Sequence, residues 1–133
     1  MDTPPRHAHR VDIQMRFADT DALGHVNNGS YIVYAETGRL EFLRILGGTV
    51  RSLILANISV DFRKQVHYGA VVVVETWVER IGTTSVALLQ VIRADGVVAA
   101  EIKSVVVSFD YKTQRPTPWS AESRTALSAY IAT

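Results

Sequence analysis

A single helical segment stands among strands in this sequence, and it limits the folds that are open to the chain. Apolar residues recur at three- and four-residue spacing from Tyr31 to Leu46, which predicts a helix of about four turns ended by Gly47 and Gly48. Strand-like patterns follow at about 53–63, 70–80, 85–93 and 97–110. One helix with one apolar stripe needs one sheet to cover it. We therefore expect an α+β fold in which an antiparallel sheet of about five strands wraps around one long central helix.

The chain before the helix divides into a terminal segment and a first strand. Residues 1–9 carry almost no apolar side chains and are expected to form a loose N-terminus, which leaves 10–133 as a single domain. Apolar and polar residues alternate from Val11 to Phe17, the period-2 pattern of a half-buried strand. The first strand is therefore predicted to end at about Phe17.

Turn signals and surface patterns complete the outline. Asp95-Gly96 predicts a hairpin between the last two long strands, and Ser120 is expected to cap a short C-terminal helix. The polar positions of the long helix are Glu36, Arg39, Glu41 and Arg44. Segments 71–74 and 105–107 place apolar residues on both faces of the sheet. A sheet face that its own helix does not cover favours a second subunit, so we expect a homo-oligomer.

The composition argues against several classes of protein. Fourteen basic residues against 13 acidic ones give a formal charge of +1, so the chain lacks the dense positive field of a nucleic-acid-binding protein. No cysteine is present, which rules out thiolate nucleophiles and fits a reducing cytoplasm. The apolar run Ala70–Val74 is far shorter than the ~20 residues of a membrane helix, and the first ten residues lack the apolar region of a secretory signal. We expect a cytoplasmic protein with no membrane or nucleic-acid partner.

The stretch DALGHVNNGSY, residues 21–31, lies where the strand pattern gives way to the helix. A helix N-terminus leaves backbone N–H groups unpaired and carries partial positive charge, so it stabilises anions and developing oxyanions. Gly24 and Gly29 allow the backbone to pass close to a ligand. Asp21 comes shortly before these N–H groups, and a carboxylate opposite a polarised carbonyl acts as a general base toward water or as a nucleophile. Both roles suit acyl transfer.

Each of these residues also has a purely structural explanation. Asp is favoured in turns for its backbone hydrogen bonds, so Asp21 is also expected as a turn residue. Asn27 or Asn28 is expected to be the N-cap of the helix. The same choice between a structural and a functional role applies to His25, Tyr31, Tyr34, Glu36, Arg63 and Lys64. The chain has no G-x-S-x-G and no phosphate-binding glycine loop, so serine hydrolases and nucleotide-binding proteins have no support.

Residues 16–44, RFADTDALGHVNNGSYIVYAETGRLEFLR, closely resemble the opening of the hot-dog-fold acyl-CoA thioesterases, the 4-hydroxybenzoyl-CoA thioesterase-like family. The family pattern is an aromatic residue, then D-x-D-x-x-G-H-V-N-N-x-x-Y and a helix that contains an acid and an arginine. The later segments VDFRKQVHYGAVVVVETWVERIGTTS and SVVVSFDYKTQRPTPW resemble the family's following strands. The resemblance therefore extends over residues 10–128.

The resemblance implies a hot-dog fold and hydrolysis of acyl-CoA thioesters, without a metal or cofactor. The catalytic carboxylate of the family motif falls on Asp21, and the thioester oxygen is expected to meet a backbone N–H around Asn28. Family sites lie at the interface of a dimer or dimer of dimers, so residues near 58–64 and 80–85 of a neighbouring subunit are expected to contribute to CoA binding. The implied substrate-binding residues are Gly24, Asn27, Tyr31, Arg63, Lys64 and Ser85, with the two cations as candidates for the CoA phosphates.

Differences from the family pattern leave alternatives open. Some members carry Tyr where Phe17 stands or His where Asn28 stands, so mechanisms that use those side chains do not transfer. Acyl-carrier-protein thioesterases also contain a G/Q-H-V-N-N stretch, which gives His25 and Asn27 a possible catalytic part and keeps the carrier protein open as the acyl donor. A non-hydrolytic acyl-CoA-binding protein and a hydratase on the same fold are the remaining alternatives.

Overall fold

The long helix and the strands after it form as the sequence pattern predicts. The computed structural model describes residues 4–47 and 52–132. The strands are β1 His9–Ile13, β2 Leu53–Phe62, β3 Val72–Ile81, β4 Ser85–Ala94, β5 Val97–Asp110 and the two-residue β6 Arg115–Pro116. The helices are α1 Asn28–Leu43 and α2 Ala121–Ser128, with short 3-10 turns at Phe17–Asp19 and Arg44–Leu46. Gly47 ends the long helical segment in the left-handed conformation, with φ 68°. Gly48 lies outside the described residues.

The strands form one antiparallel sheet in the order β1-β3-β4-β5-β2, with β6 paired to the end of β5. The hairpin between β4 and β5 turns at Asp95 and Gly96, which both have positive φ, as the sequence predicts. Strands β1 and β2 lie at the two edges, although α1 lies between them in the chain. The α+β fold with a sheet of about five strands around one long helix is therefore confirmed.

Helix α1 packs against β1, β3 and β4 through the apolar stripe seen in the sequence. At Gly38 the helix lies so near the sheet that a Cβ atom would be 2.5 Å from Cγ1 of Val74. Only glycine fits between helix and strand at that point. The buried side chain of Gln90 donates hydrogen bonds to the Ala35 carbonyl oxygen and to Thr76 Oγ1, both at 3.0 Å. The helix is thus held to the sheet by both packing and buried hydrogen bonds.

The first strand ends earlier than the alternating pattern predicts. Strand β1 stops at Ile13, which pairs with Val72, the first residue of β3, so the chain beyond Ile13 has no partner strand. The Arg16 N–H then donates to the Asp19 carboxylate at 3.0 Å and turns the chain into a 3-10 helix. Phe17 is 76% exposed in that turn. The strand also begins at His9, a residue that the sequence pattern had assigned to the loose terminus.

Two expectations about surfaces also change. Arg39 was counted among the polar positions of the helix, but its side chain is buried. On the sheet face opposite α1, Trp77, Leu89 and Val91 are buried within the single chain. Cross-strand ion pairs join Glu75 to Arg10 and Arg93, and Glu79 to Lys103. That face is largely covered without a second subunit, and the expected homo-oligomer stays a prediction.

Candidate active site

The loop before α1 is held in place by two backbone attachments. Thr20 and Val26 face each other in an isolated bridge, and His25 bridges to His67 in the segment that leads into β3. The Val26 N–H donates to the Val66 carbonyl oxygen at 2.7 Å. Gly24 has φ +83°, a conformation that a residue with a side chain rarely adopts. The loop therefore has a fixed path between the first strand and the helix.

The start of helix α1 presents free backbone donors. Of the two expected candidates, Asn27 and Asn28, the N-cap is Asn27, and its Oδ1 accepts a hydrogen bond from the Ser30 N–H at 2.9 Å. The Asn27 backbone N–H and Nδ2 both donate to the Asp19 carbonyl oxygen, at 2.9 and 3.0 Å. The N–H groups of Asn28 and Gly29, the first two helical residues, have no hydrogen-bond partner within the described ranges. These two N–H groups are available to an anion or oxyanion.

The carboxylate of Asp21 is exposed beside this helix start. Its Oδ1 accepts hydrogen bonds from the Leu23 N–H at 2.9 Å and the His25 N–H at 3.4 Å. The structural and functional explanations of Asp21 therefore both apply, since one oxygen shapes the turn. No hydrogen bond to the second oxygen, Oδ2, is present among the described residues, so that oxygen is available to a ligand or a water molecule.

Asp19, the other carboxylate of the D-x-D motif, is buried and fully engaged. It accepts hydrogen bonds from the Tyr34 hydroxyl at 2.7 Å, the Arg16 N–H at 3.0 Å and the Arg16 guanidinium at 3.0 Å. Burial by itself raises the pKa of Asp19, but these hydrogen bonds together with the charge of Arg16 outweigh it and hold the pKa below its ordinary value. Burial and the bond to Asp19 raise the pKa of Tyr34 well above its ordinary range. Asp19 thus anchors the loop and does not face solvent.

A cleft of about 470 Å³ lies at the helix start. All predicted site residues except Gly24 and Ser85 line it: Asp21, His25, Asn27, Asn28, Tyr31, Arg63 and Lys64. The cleft is also lined by four residues that were not named as predicted site residues: Leu23, Val26, Phe62 and Gln65. Phe62 ends β2 and stacks edge-on against Tyr31 with ring centroids 5.3 Å apart. Phe62 falls in segment 58–64, which the resemblance assigned to CoA binding from a neighbouring subunit, and the structure places it in the cleft of its own chain.

The two cationic side chains that line the cleft, Arg63 and Lys64, differ in whether the chain supplies an acidic partner. Arg63 donates to Glu101 at 3.0 Å and lies 3.7 Å from Asp61, so its charge is balanced within the chain. The hydrogen bond to Glu101 raises the pKa of Arg63. The Lys64 ammonium has no acidic partner within ion-pair distance in the part of the chain that the structure describes. Lys64 is therefore the cation that is free to meet a ligand phosphate.

Three other predicted residues have defined positions. The buried Tyr31 hydroxyl donates to the Lys64 carbonyl oxygen at 2.8 Å, so it fixes the end of β2 beside the cleft. The His25 ring packs edge-on against His67 with centroids 4.8 Å apart, a neighbour that sequence spacing did not reveal. Ser85 begins β4, where its carbonyl oxygen accepts hydrogen bonds from Gly82 and Trp119. Within one chain Ser85 does not line the cleft, and its action from a neighbouring subunit stays a prediction.

Among the described residues, no group of three or more His, Asp or Glu side chains is arranged to hold a metal ion. No described helix is long and apolar enough to cross a membrane.

Comparison with known proteins assigns the family. The profile of the thioesterase-like superfamily matches residues 15–127, which includes the whole loop and helix α1. The chain belongs to the thioesterase-like superfamily. One solved structure that resembles this chain is "a predicted thioesterase from Bacillus stearothermophilus". Its sequence is 33% identical to this chain, its TM-score is 0.87, and the match covers 93% of this chain and 96% of that one. The sheet curled around a long helix is thus the hot-dog fold of these thioesterases.

Two further proteins that resemble this chain are also named as thioesterases. A "thioesterase complexed with coenzyme A and Zn" from Thermus thermophilus is 30% identical with a TM-score of 0.81, over 89% of this chain and 95% of that one. The Bacillus subtilis (strain 168) protein named "Putative acyl-CoA thioesterase YneP" is 34% identical over 82 residues, or 55% of this chain. That alignment spans 58% of the curated relative's length.

Proposed function

We propose that this chain hydrolyses acyl-CoA thioesters. One observation carries the proposal: the exposed carboxylate of Asp21 and the start of α1, with its unpaired N–H groups, line the same cleft. A base or nucleophile beside an oxyanion site is what attack on a thioester carbonyl requires. The likeness to a thioesterase solved with coenzyme A supports CoA as the thiol part of the substrate.

In the proposed reaction the thioester oxygen accepts hydrogen bonds from the N–H groups of Asn28 and Gly29. Asp21 takes a proton from water as the water attacks the carbonyl carbon, or attacks that carbon itself to form an anhydride that water then cleaves. The C–S bond breaks when the tetrahedral intermediate collapses, and the CoA thiolate leaves and takes up a proton. The helix dipole stabilises the developing oxyanion without any charged donor.

The rest of the cleft suits the two ends of the substrate. Lys64 supplies a free positive charge for a CoA phosphate, and Arg63 contributes less because Glu101 already neutralises it. Leu23 and Phe62 add exposed apolar surface, 78% and 45% exposed, on which an acyl chain can lie. We further propose a homodimer or dimer of dimers in which this surface is covered by a neighbouring subunit. Ser85 would act on CoA from that neighbour.

The test is release of free thiol from short, medium, long and aromatic acyl-CoAs by the purified protein, beside the Asp21→Asn variant. The same acyl groups on an acyl carrier protein distinguish the two possible donors. We expect turnover of at least one CoA ester that depends on Asp21. Saturable binding of CoA esters with no thiol release from any donor would contradict hydrolysis and favour a binding protein. Addition of water to an unsaturated acyl chain with the thioester intact would instead identify a hydratase.

A further inference from the structure

Two exposed aromatic side chains meet beside the loop that precedes α1. Phe17 lies in the 3-10 turn before that loop and is 76% exposed, and Tyr68 lies in the segment between β2 and β3 and is 56% exposed. Their ring centroids are 5.6 Å apart with an interplanar angle of 76°. An edge-on contact leaves ring faces open to solvent. Neither ring is part of the buried core, so both are available to a ligand.

Backbone and ring contacts join this aromatic pair to the wall of the cleft. The Tyr68 N–H donates to the Gly24 carbonyl oxygen at 3.3 Å, and the preceding residue, His67, packs its ring against His25. The residues on either side of Gly24, which are Leu23 and His25, both line the cleft. The two aromatic rings do not line it themselves. They lie next to the cleft, where the part of a ligand that extends beyond its reacting group would pass.

A cation accompanies each of the two rings in the chain. Arg16 directly precedes Phe17, and its side chain is 72% exposed although one guanidinium nitrogen binds Asp19. Lys64 lines the cleft four residues before Tyr68 and has no acidic partner within ion-pair distance in residues 4–47 and 52–132. Positive charge beside exposed aromatic rings suits a nucleotide, because its phosphates are anionic and its base is a flat π system.

We propose that Phe17 and Tyr68 bind the adenine base of CoA while the thioester lies in the cleft. Adenine is the aromatic group of CoA, and the pantetheine arm holds it well away from the thioester sulfur. The diphosphate lies between adenosine and pantetheine, so it falls between the rings and the cleft, toward Lys64. Stacking on a base provides affinity without an enclosed pocket, which suits two rings on an exposed surface. This inference rests on the proposed function and names the residues that hold the far end of its substrate.

The decisive experiment compares thioesters with and without the nucleotide. An acyl-CoA is measured beside the same acyl group on N-acetylcysteamine, which keeps the thioester and lacks both adenine and phosphates. The quantity of interest is the ratio of kcat/KM for the acyl-CoA to kcat/KM for the truncated ester. Tyr68→Leu and Phe17→Leu should each lower this ratio about tenfold, the effect of one stacking contact, through a higher KM for the acyl-CoA. Tyr68→Trp should keep the ratio, because the indole ring also stacks on a base.

The matched control is Tyr111→Leu. Tyr111 is 49% exposed and also meets another ring edge-on, that of Phe109 with centroids 5.1 Å apart, but it does not line the cleft. Its substitution should leave the ratio at the wild-type value. The proposal is overturned if the Phe17 and Tyr68 variants keep the wild-type ratio, or if the control lowers it as much. It is equally overturned if the leucine variants lose their oligomeric state in sedimentation and turn over both esters more slowly, since the rings would then form a subunit contact.

Binding of free CoA, measured by calorimetry on the same proteins, separates this inference from the proposed function because it needs no hydrolysis. We expect Tyr68→Leu to bind CoA about tenfold more weakly than the wild type, and Tyr111→Leu to bind it equally well. Thiol release from acyl-CoA together with unchanged CoA binding by both leucine variants of the pair would refute the adenine site and leave hydrolysis intact. CoA binding that depends on Tyr68 in a protein that releases no thiol would refute hydrolysis and support the adenine site.

Discussion

Asp19 and Asp21 stand two residues apart in one loop and are used in opposite ways. Asp19 is 4% exposed and accepts hydrogen bonds from Arg16 and Tyr34, whereas Asp21 is exposed at the mouth of the cleft. The same contrast separates Arg63, which is paired with Glu101, from Lys64, which has no ion-pair partner in the described ranges. A side chain whose bonds are satisfied inside the fold contributes to stability, and one whose bonds are left open is available to a ligand.

The largest expected effect is on Asp21. Asp21→Asn should lower the rate of thioester hydrolysis by ~10²–10⁴, because the base or nucleophile is lost. The denaturation midpoint should change little, since the asparagine amide oxygen still accepts the Leu23 N–H. Steady-state kinetics and thermal unfolding of the same preparation check both statements, and near-normal turnover in the variant would remove Asp21 from the mechanism.

Asp19→Asn is the matched substitution, and its main effect should be on stability and not on the rate of hydrolysis. The asparagine amide keeps the size of the side chain but lacks the charge that attracts Arg16. It also places N–H donors against the donor groups of Arg16 and Tyr34. Hydrogen bonds to a charged group contribute about 1.5–3 kcal/mol each, so we expect a loss of about 2 kcal/mol in the free energy of unfolding. Urea denaturation measures it. Equal stability of the Asp19→Asn and Asp21→Asn variants would refute the contrast.

Tyr34→Phe removes one of the bonds to Asp19 and leaves those from Arg16. The ring stays buried, and the lost hydroxyl should cost about 1–2 kcal/mol of stability. The double variant with Asp19→Asn should lose less than the sum of the two single changes, because both remove the same hydrogen bond. Strict additivity in urea denaturation would mean that the two groups do not act as a unit.

A smaller effect is expected at the cations. Lys64→Ala should raise KM for acyl-CoA by up to about fivefold with little change in kcat, since an exposed ion pair contributes up to about 1 kcal/mol. Arg63→Ala should raise KM less, because Glu101 and Asp61 already compete for that guanidinium. The Lys64 effect should shrink with added salt. A larger KM effect at Arg63 than at Lys64 would reverse the assignment.

The last prediction is a difference in acid stability. The pKa of Asp19 is depressed below its ordinary value of 3.8 by its hydrogen bonds from Arg16 and Tyr34. Below 3.8 the unfolded chain therefore takes up a proton at Asp19 before the folded chain does. The stabilisation is complete above this pH and is lost as the pH falls through the folded-state pKa. The wild type should thus lose its stability advantage over Asp19→Asn below about pH 4, and a constant advantage down to about pH 2 would contradict this.

Particular residues show how far sequence analysis reaches. The helix and the strands were predicted because apolar spacing reports directly which side of a segment is buried. Asn27 as the N-cap and the turn at Asp95 followed from local backbone chemistry. Phe17 was wrongly assigned to the first strand, since alternation cannot reveal that its partner strand has already ended at Val72. Arg39 was counted among the polar positions of the helix, and its burial was not predicted, because a charged residue in the sequence carries no sign of the groups that bury it.

The amino-acid sequence by itself determined the elements of this protein, the position of the loop at the helix start and its resemblance to hot-dog thioesterases. These properties are local, and residue spacing within a short segment encodes them. Only the tertiary structure decided which carboxylate of the D-x-D motif is buried, that Phe62 at the end of β2 and Lys64 just after it join the cleft of the same chain, and that Nη1 of Arg39 has no hydrogen-bond partner among the described residues. Those properties depend on contacts between residues far apart in the chain, which the order of the strands in the sheet creates.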